Sequence, residues 1–386
     1  MYKIIPILFI AIHLLGACKN KNTKHLPSEN TTESKKENTT PITVSYAKCF
    51  LIKKENGVTK IIIKNPDDGY KTQQEIVLLP KGVNYNKNNE EEILISVPVQ
   101  KIIPFSASYL AMLDTLGVQH SIVGIDNPNY IFNTKVLEGV ENKKIAVVGG
   151  LNQLNIEKVI SLSPNVIMNG NVFGDANNNL AKLNKIGIPA IFNYDWKEAH
   201  PLGRAEWIKV FGALYQKEKE ANSIFSDIEK KYKKEKTQAT EEKPTVLFGA
   251  LYNGVWYIPG GGSYVAQLVK DAKGDYPWIS TKESGSLSLS FESVFAKYNK
   301  VDVWLNPNFN TITALLENDE RYAHFVKLSK QNIFNNNKRV TPMGGNDYYE
   351  RGTLRPDLIL RDYNIIFSHD TANYNATTFF TKIKNE

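Results

Sequence analysis

The side chains best suited to chemistry in this chain are aromatic, hydroxylic and cationic groups gathered in short stretches beside turn-forming residues. Ser106-Ala107-Ser108-Tyr109 is one such stretch; Asn171-Val172-Phe173 and Tyr194-Asp195-Trp196 are two more. Further along stand Tyr252, the pair Trp256-Tyr257, and Tyr348-Tyr349-Glu350-Arg351 ahead of a glycine. Aromatic faces bury much area for little rotamer entropy, and they suit flat or bulky ligands. An arginine adds a planar fork for a carboxylate or another anionic group. The chemistry expected is therefore capture without a covalent step. The candidate ligand-binding residues are Ser106, Ser108, Tyr109, Phe173, Trp196, Tyr252, Trp256, Tyr257, Tyr349 and Arg351. Arg351 has an alternative of equal weight, a structural pair with Asp347 or Glu350.

Other chemistries find less support. His120, His200, His324 and His369 are scattered without metal-ligand spacing, so no metal site is expected. Gly260-Gly261-Gly262-Ser263 lacks the lysine of a phosphate loop and the following glycine of a nucleophile elbow. No nucleophile–base pair stands out, which counts against the competing class, a lipid-anchored hydrolase. No cofactor is expected. Six lysines and three glutamates in the first 40 residues account for +3 of the formal charge of +7, leaving an ordinary +4 for the rest. The basic stretch Lys230–Lys236 is flanked and interrupted by Glu229 and Glu235, as on a solvated helix face, so no nucleic-acid partner is expected.

The elements that must carry these residues change rhythm along the chain. Ile42–Ile52, Val58–Lys64 and Gln74–Leu79 read as three strands in an antiparallel meander, joined by turn-forming stretches. From Val97 onward, short apolar strands alternate with helices, the signature of a parallel sheet covered on both faces. Gly203 to about Lys236 reads as one helix, roughly 50 Å long at 1.5 Å per residue. Trp207, Val210, Phe211, Leu214, Ile224, Phe225, Ile228 and Tyr232 form its apolar stripe. A second α/β region follows Pro244. The expected fold is α/β: two Rossmann-like lobes joined by one long helix, with an added N-terminal β meander.

The start of the chain reads as an address. Lys3 precedes an apolar run from Ile4 to Leu15, about the length of a signal-peptide core and too short to span a bilayer. The run closes on Leu15-Gly16-Ala17-Cys18, which resembles a bacterial lipobox and implies lipidation of Cys18. With Cys18 so used, Cys49 has no disulfide partner, and stability must come from a conventional core. The expected divisions are a signal peptide over 1–17, a polar tether over 18–40 and a β-rich extension over 41–96. An N-terminal lobe over 97–200, a connecting helix over 201–243 and a C-terminal lobe over 244–386 complete them.

Several segments carry a family resemblance. Lys101-Ile-Ile-Pro-Phe-Ser, Leu116-Gly117-Val118 and Ile122-Val123-Gly124-Ile125 follow one another in order. Val148-Gly149-Gly150, Asn155-Ile156-Glu157-Lys158-Val159-Ile160, Leu162-Ser163-Pro164-Asn165-Val166-Ile167 and Gly187-Ile188-Pro189 continue the series. Together they resemble the ABC-transporter solute-binding proteins for ferric siderophores, cobalamin and haem. Trp196–Trp207, Trp256–Ser263 and Gly345–Gly352 look like the branch found in Bacteroidetes-type bacteria. The resemblance implies a lipid-anchored protein of the periplasm or cell envelope that binds an iron-siderophore between its lobes. It would deliver that ligand to an ABC permease and ATPase complex. Cobalamin and haem are the alternatives in the same cleft, and haem would use one Tyr or His as axial ligand. The family docks through a glutamate on the first helix of each lobe, but Ala111 and Gln267 occupy those positions here. Asp114 and Asp271, about one helical turn further on, are the substitutes to consider.

Overall fold

A computed structural model describes residues 40–150, 153–170, 175–369 and 371–386. The signal-peptide and lipidation assignments, including Cys18, lie outside these residues, as does Phe173. Among the described residues no helix is long and apolar enough to cross a membrane.

The fold is α/β and two-lobed. In the N-terminal lobe, Ile102–Phe105, Val166–Asn169 and Ala190–Phe192 form a parallel sheet with Val166–Asn169 in the centre. Successive strand residues point to opposite faces. Ile102 therefore joins one apolar cluster while Ile103 and Phe105 join another with Val159, Leu183 and Ile188. Both faces are covered, which is why these strands read as unbroken apolar runs. The C-terminal lobe repeats the plan with Val246–Phe248, Val303–Leu305 and Ile333–Asn335 in parallel, edged by antiparallel Thr381–Lys382. A small antiparallel sheet of Leu251–Tyr252, Val255–Pro259 and Ser286–Leu289 is added to it.

The link between the lobes departs from the single helix expected. It consists of Pro201–Glu206, Ile208–Leu214 and Glu218–Thr237. Gln216 adopts a left-handed backbone, φ 56°, and the Lys217 N–H folds back onto the Gly212 carbonyl at 2.7 Å. The apolar stripe runs on either side of this break, which is why periodicity alone fused the pieces. Only Glu218–Thr237 is long: its 20 residues span about 30 Å. Ala221, Phe225, Ile228 and Tyr232 form its buried face, with acidic residues in the first turn and Lys234 and Lys236 in the last, matching the helix dipole.

The N-terminal extension is a five-stranded sheet in chain order: Thr40–Ile42, Phe50–Glu55, Val58–Asn65, Lys71–Pro80 and Ile93–Val97. The strands up to Pro80 pair antiparallel, as the expected meander has them, and Ile93–Val97 adds a fifth strand parallel to Lys71–Pro80. Residues 43–49, expected to be strand, instead hand their amides to two buried carboxylates of the link region. Glu206 accepts from the N–H groups of Ser45, Tyr46 and Ala47 at 2.7–2.9 Å. Glu198 accepts from those of Lys48 and Cys49 at 2.9 and 3.0 Å, and from the Trp207 indole at 3.2 Å. Gln74 brackets the exposed edge of the N-lobe sheet, donating to the Ala190 carbonyl and accepting from the Phe192 N–H. Side chains thus replace the missing neighbouring strand.

Candidate functional site between the lobes

The cleft is assembled from the carboxyl ends of the N-lobe strands, the first link helix and one helix of the C-terminal lobe. Its volume is about 460 Å³, and Phe105, Ser106, Ser108, Tyr109, Gly170, Asp195, Trp196, Arg204 and Tyr349 line it. Five of the expected residues meet there: Ser106, Ser108, Tyr109, Trp196 and Tyr349.

Each wall residue is held by local chemistry. Ser106 caps the helix Ala107–Thr115, its hydroxyl accepting from the Ser108 N–H at 3.3 Å and lying 2.9 Å from the Ser108 hydroxyl. Tyr109 is fully buried along its ring, and burial pushes its phenol above the usual range. Any side chain at Gly170 would meet the Tyr109 hydroxyl at 2.6 Å, so glycine is what lets the phenol reach the cleft. Trp196 is half-buried; its indole donates to the Gly170 carbonyl at 2.8 Å, and the Lys197 ammonium lies 4.7 Å from its ring centre. Tyr349 reaches in from the C-lobe helix Asp347–Leu354.

Asp195, named from sequence only within the Tyr194-Asp195-Trp196 stretch, and Arg204 are not among the candidate ligand residues, yet both line the cleft. Arg204 donates through Nη2 to Asp195 Oδ2 at 3.2 Å and to Thr353 Oγ1 at 3.3 Å. Its guanidinium stacks 4.0 Å from the Tyr264 ring centre, so it touches both lobes. Burial pushes the Asp195 carboxyl up, against the pull of the Arg204 charge. Only the placement of Arg204 one turn into a Pro-initiated helix hinted at this role.

Four expected ligand residues lie elsewhere. Trp256 is completely buried, donating to the Phe248 carbonyl at 2.7 Å within a cluster of Phe291, Trp304, Tyr322 and Phe325. Its strand pairs on both sides, so the alternation that turns Trp256 inward turns Tyr257 outward. Tyr257 and Tyr252 are exposed on that small sheet and do not line the cleft. Arg351 pairs with Asp347 at 2.8 Å, which also accepts from Arg339 at 2.6 Å. The structural alternative for Arg351 is the one observed. Of the docking candidates, Asp271 is buried and accepts from Tyr232, Gln267 and Lys236, so it presents no acidic surface. Asp114 is exposed.

The lobes meet along a seam beside the cleft. Glu350, buried on the helix that carries Tyr349, accepts across it from the N–H groups of Phe132 and Asn133 at 2.8 and 3.2 Å. Burial raises its carboxyl to about 7, despite these two bonds, and the nearby Asp347 and Asp114 charges add to the effect. A side chain at Gly345 would collide with the Ile131 carbonyl, so the lobes approach backbone to backbone there.

A two-lobed α/β protein with an aromatic and polar cleft at the carboxyl ends of its strands is built to hold a solute. The model of the periplasmic binding protein family matches residues 102–327, more than half of the chain. The chain belongs to the periplasmic binding protein family. Members of this family bind solutes and are not enzymes. An uncharacterized lipoprotein of Methanocaldococcus jannaschii is 26% identical over 337 residues, covering 85% of this chain and 77% of the relative. A possible iron-binding periplasmic solute-binding protein from Staphylococcus epidermidis shares the fold with a TM-score of 0.55 and 18% identity. It is matched over 98% of its length and 70% of this chain. The periplasmic haem-binding protein HutB of Vibrio cholerae superposes with a TM-score of 0.54 and 16% identity, over 98% of its length and 68% of this chain. Among the described residues no three His, Cys, Asp or Glu side chains gather to hold a metal ion.

Proposed function

We propose that this protein is the lipid-anchored solute-binding component of an ABC importer and that it captures a ferric siderophore between its lobes. The observation that carries the reading is the cleft wall itself. Tyr109, Trp196 and Arg204 on one side face Tyr349 from the other lobe, across a space of drug-like size. Aromatic faces and one fixed cation suit a bulky, oxygen-rich iron complex. The iron-binding description of the Staphylococcus epidermidis protein points the same way. Anchoring would be through Cys18, in keeping with the lipoprotein description of the archaeal relative. Asp114, exposed near the end of the first N-lobe helix, is the remaining acidic candidate for the permease contact.

The purified protein should be titrated with ferric hydroxamates, ferric catecholates, ferric citrate, haem and cyanocobalamin, following tryptophan fluorescence. Sub-micromolar binding of a ferric siderophore is expected. Binding of haem or cyanocobalamin alone would move the protein to that ligand class, and binding of nothing would overturn the transport reading. Cys18→Ser should abolish labelling by a palmitate analogue; retained labelling would refute the anchor.

A further inference from the structure

The N-terminal extension lies ahead of the residues that the family model matches, yet it holds one wall of the cleft. That wall is the segment 190–198, which carries Asp195 and Trp196 out from the end of the strand Ala190–Phe192. Three parts of the extension grip it. Gln74 brackets Ala190 and Phe192 at the strand. The amides of Lys48 and Cys49 donate to the Glu198 carboxylate at the far end. Between these two, Asp67 accepts from the Lys197 ammonium at 2.8 Å. Asp67 belongs to the short helical turn Pro66–Asp68, which joins the strands Val58–Asn65 and Lys71–Pro80. The Lys197 side chain is only 14% exposed, and its ammonium lies 4.7 Å from the Trp196 ring centre. A lysine left to itself keeps its charge out in water. Asp67 holds this one down over the ring instead.

Resting on the reading that this cleft is the ligand site, we infer that Asp67 is a positioning residue for ligand capture. Acting through Lys197, it sets the Trp196 ring that meets the ligand, and the extension becomes a working part of the binding site. The indole's own hydrogen bond, to the Gly170 carbonyl, fixes one edge of the ring. A bond at one edge leaves the ring free to rock about it, and a cation held over the ring resists that motion. Ligand then meets a side chain whose freedom is already spent, and such pre-ordering appears as affinity. It adds little to global stability, because Asp67 is 48% exposed and an ion pair with so open a partner is weak. Asp68, next in the chain, gives the contrast: its partner is Lys71, within the extension itself.

The test compares Asp67→Ala, Asp67→Glu, Lys197→Met and the double variant Asp67→Ala with Lys197→Met, and takes Asp68→Ala as a control from the same turn. All of them keep the backbone N–H of residue 67, which Asn65 accepts, so the turn itself stays capped. Affinities are measured for ferrioxamine B, ferric enterobactin, ferric citrate, haem and cyanocobalamin. Acrylamide quenching of Trp196 is read in the ligand-free protein, as the difference between each variant and its Trp196→Phe counterpart. Asp67→Ala should weaken the ligand that the wild type holds by about threefold to tenfold. It should also raise the quenching of Trp196, with the melting temperature within about 2 °C of the wild type. Lys197→Met should do the same, and the double variant should be no weaker than Lys197→Met, as expected where one residue acts through the other. Asp67→Glu should recover most of the affinity, and Asp68→Ala should change neither readout. Unchanged affinity or quenching in Asp67→Ala, additive losses in the double variant, or an equal loss in Asp68→Ala would overturn the positioning role while leaving the transport reading intact. Binding of none of the panel by the wild type would overturn that reading and the inference with it.

Discussion

Trp196 and Trp256 share a local chemistry and part company in tertiary role. Each follows or lies in a short strand, and each donates its indole N–H to a backbone carbonyl, Gly170 in one case and Phe248 in the other. Trp196 keeps one face open to the cleft, with a lysine over its ring. Trp256 is sealed among four aromatic rings of the C-terminal lobe, those of Trp304, Tyr322, Phe291 and Phe325. The difference is one of layers. Trp196 stands at the carboxyl end of a parallel sheet, where the chain leaves the core; Trp256 sits inside a small sheet pressed against the lobe. A tryptophan beside a loop is a ligand residue only when no second layer covers it.

The widest separation between the two should appear in stability. Trp256→Ala should cost about 3–5 kcal/mol, the range for removing a large aromatic from a core, measured by denaturant unfolding, while the fraction that stays folded binds ligand normally. Weakened binding at unchanged stability would reverse the assignment of this residue. The seam gives the next effect, through pH. The Glu350 carboxyl is raised from 4.5 to about 7 in the folded protein, so the native state holds a proton that the unfolded chain releases between those values. Its contribution to stability is then greatest below pH 4.5 and falls as pH rises toward 7. A shift of that size corresponds to roughly 3 kcal/mol at most. Glu350→Gln, which keeps an acceptor for Phe132 and Asn133, should flatten this slope in melting curves taken across the window; an unchanged slope would place the titration elsewhere.

Trp196→Ala should weaken ligand binding by about 1–3 kcal/mol, roughly fivefold to 150-fold, with the melting temperature nearly unchanged. Loss of stability without loss of affinity would make it a second Trp256. The smallest effect is expected at Tyr257, the exposed neighbour of Trp256. Tyr257→Ala should alter stability by no more than about 0.5 kcal/mol and leave affinity as it was. A clear loss of affinity there would extend the cleft onto the small sheet.

The sequence by itself determined the alternation of strands and helices and the two-lobed α/β plan. These follow from periodicity and capping, which act over a few residues and so are written locally. It did not determine where the link breaks, because Leu214 and Ile224 continue one apolar stripe across a turn that only the left-handed Gln216 reveals. Nor did it separate Trp196 from Trp256 or Asp114 from the buried Asp271, since burial depends on what packs on top. Strand alternation did forbid Trp256 and Tyr257 from facing the same way, a signal the sequence carried once their strand was recognised. The pairing of Arg204 with Asp195 and its contacts to Thr353 and Tyr264 were decided by tertiary structure alone. The contacts to Thr353 and Tyr264 reach into the other lobe, and no spacing along a chain encodes which groups will be brought together when two separately folded layers close on one another.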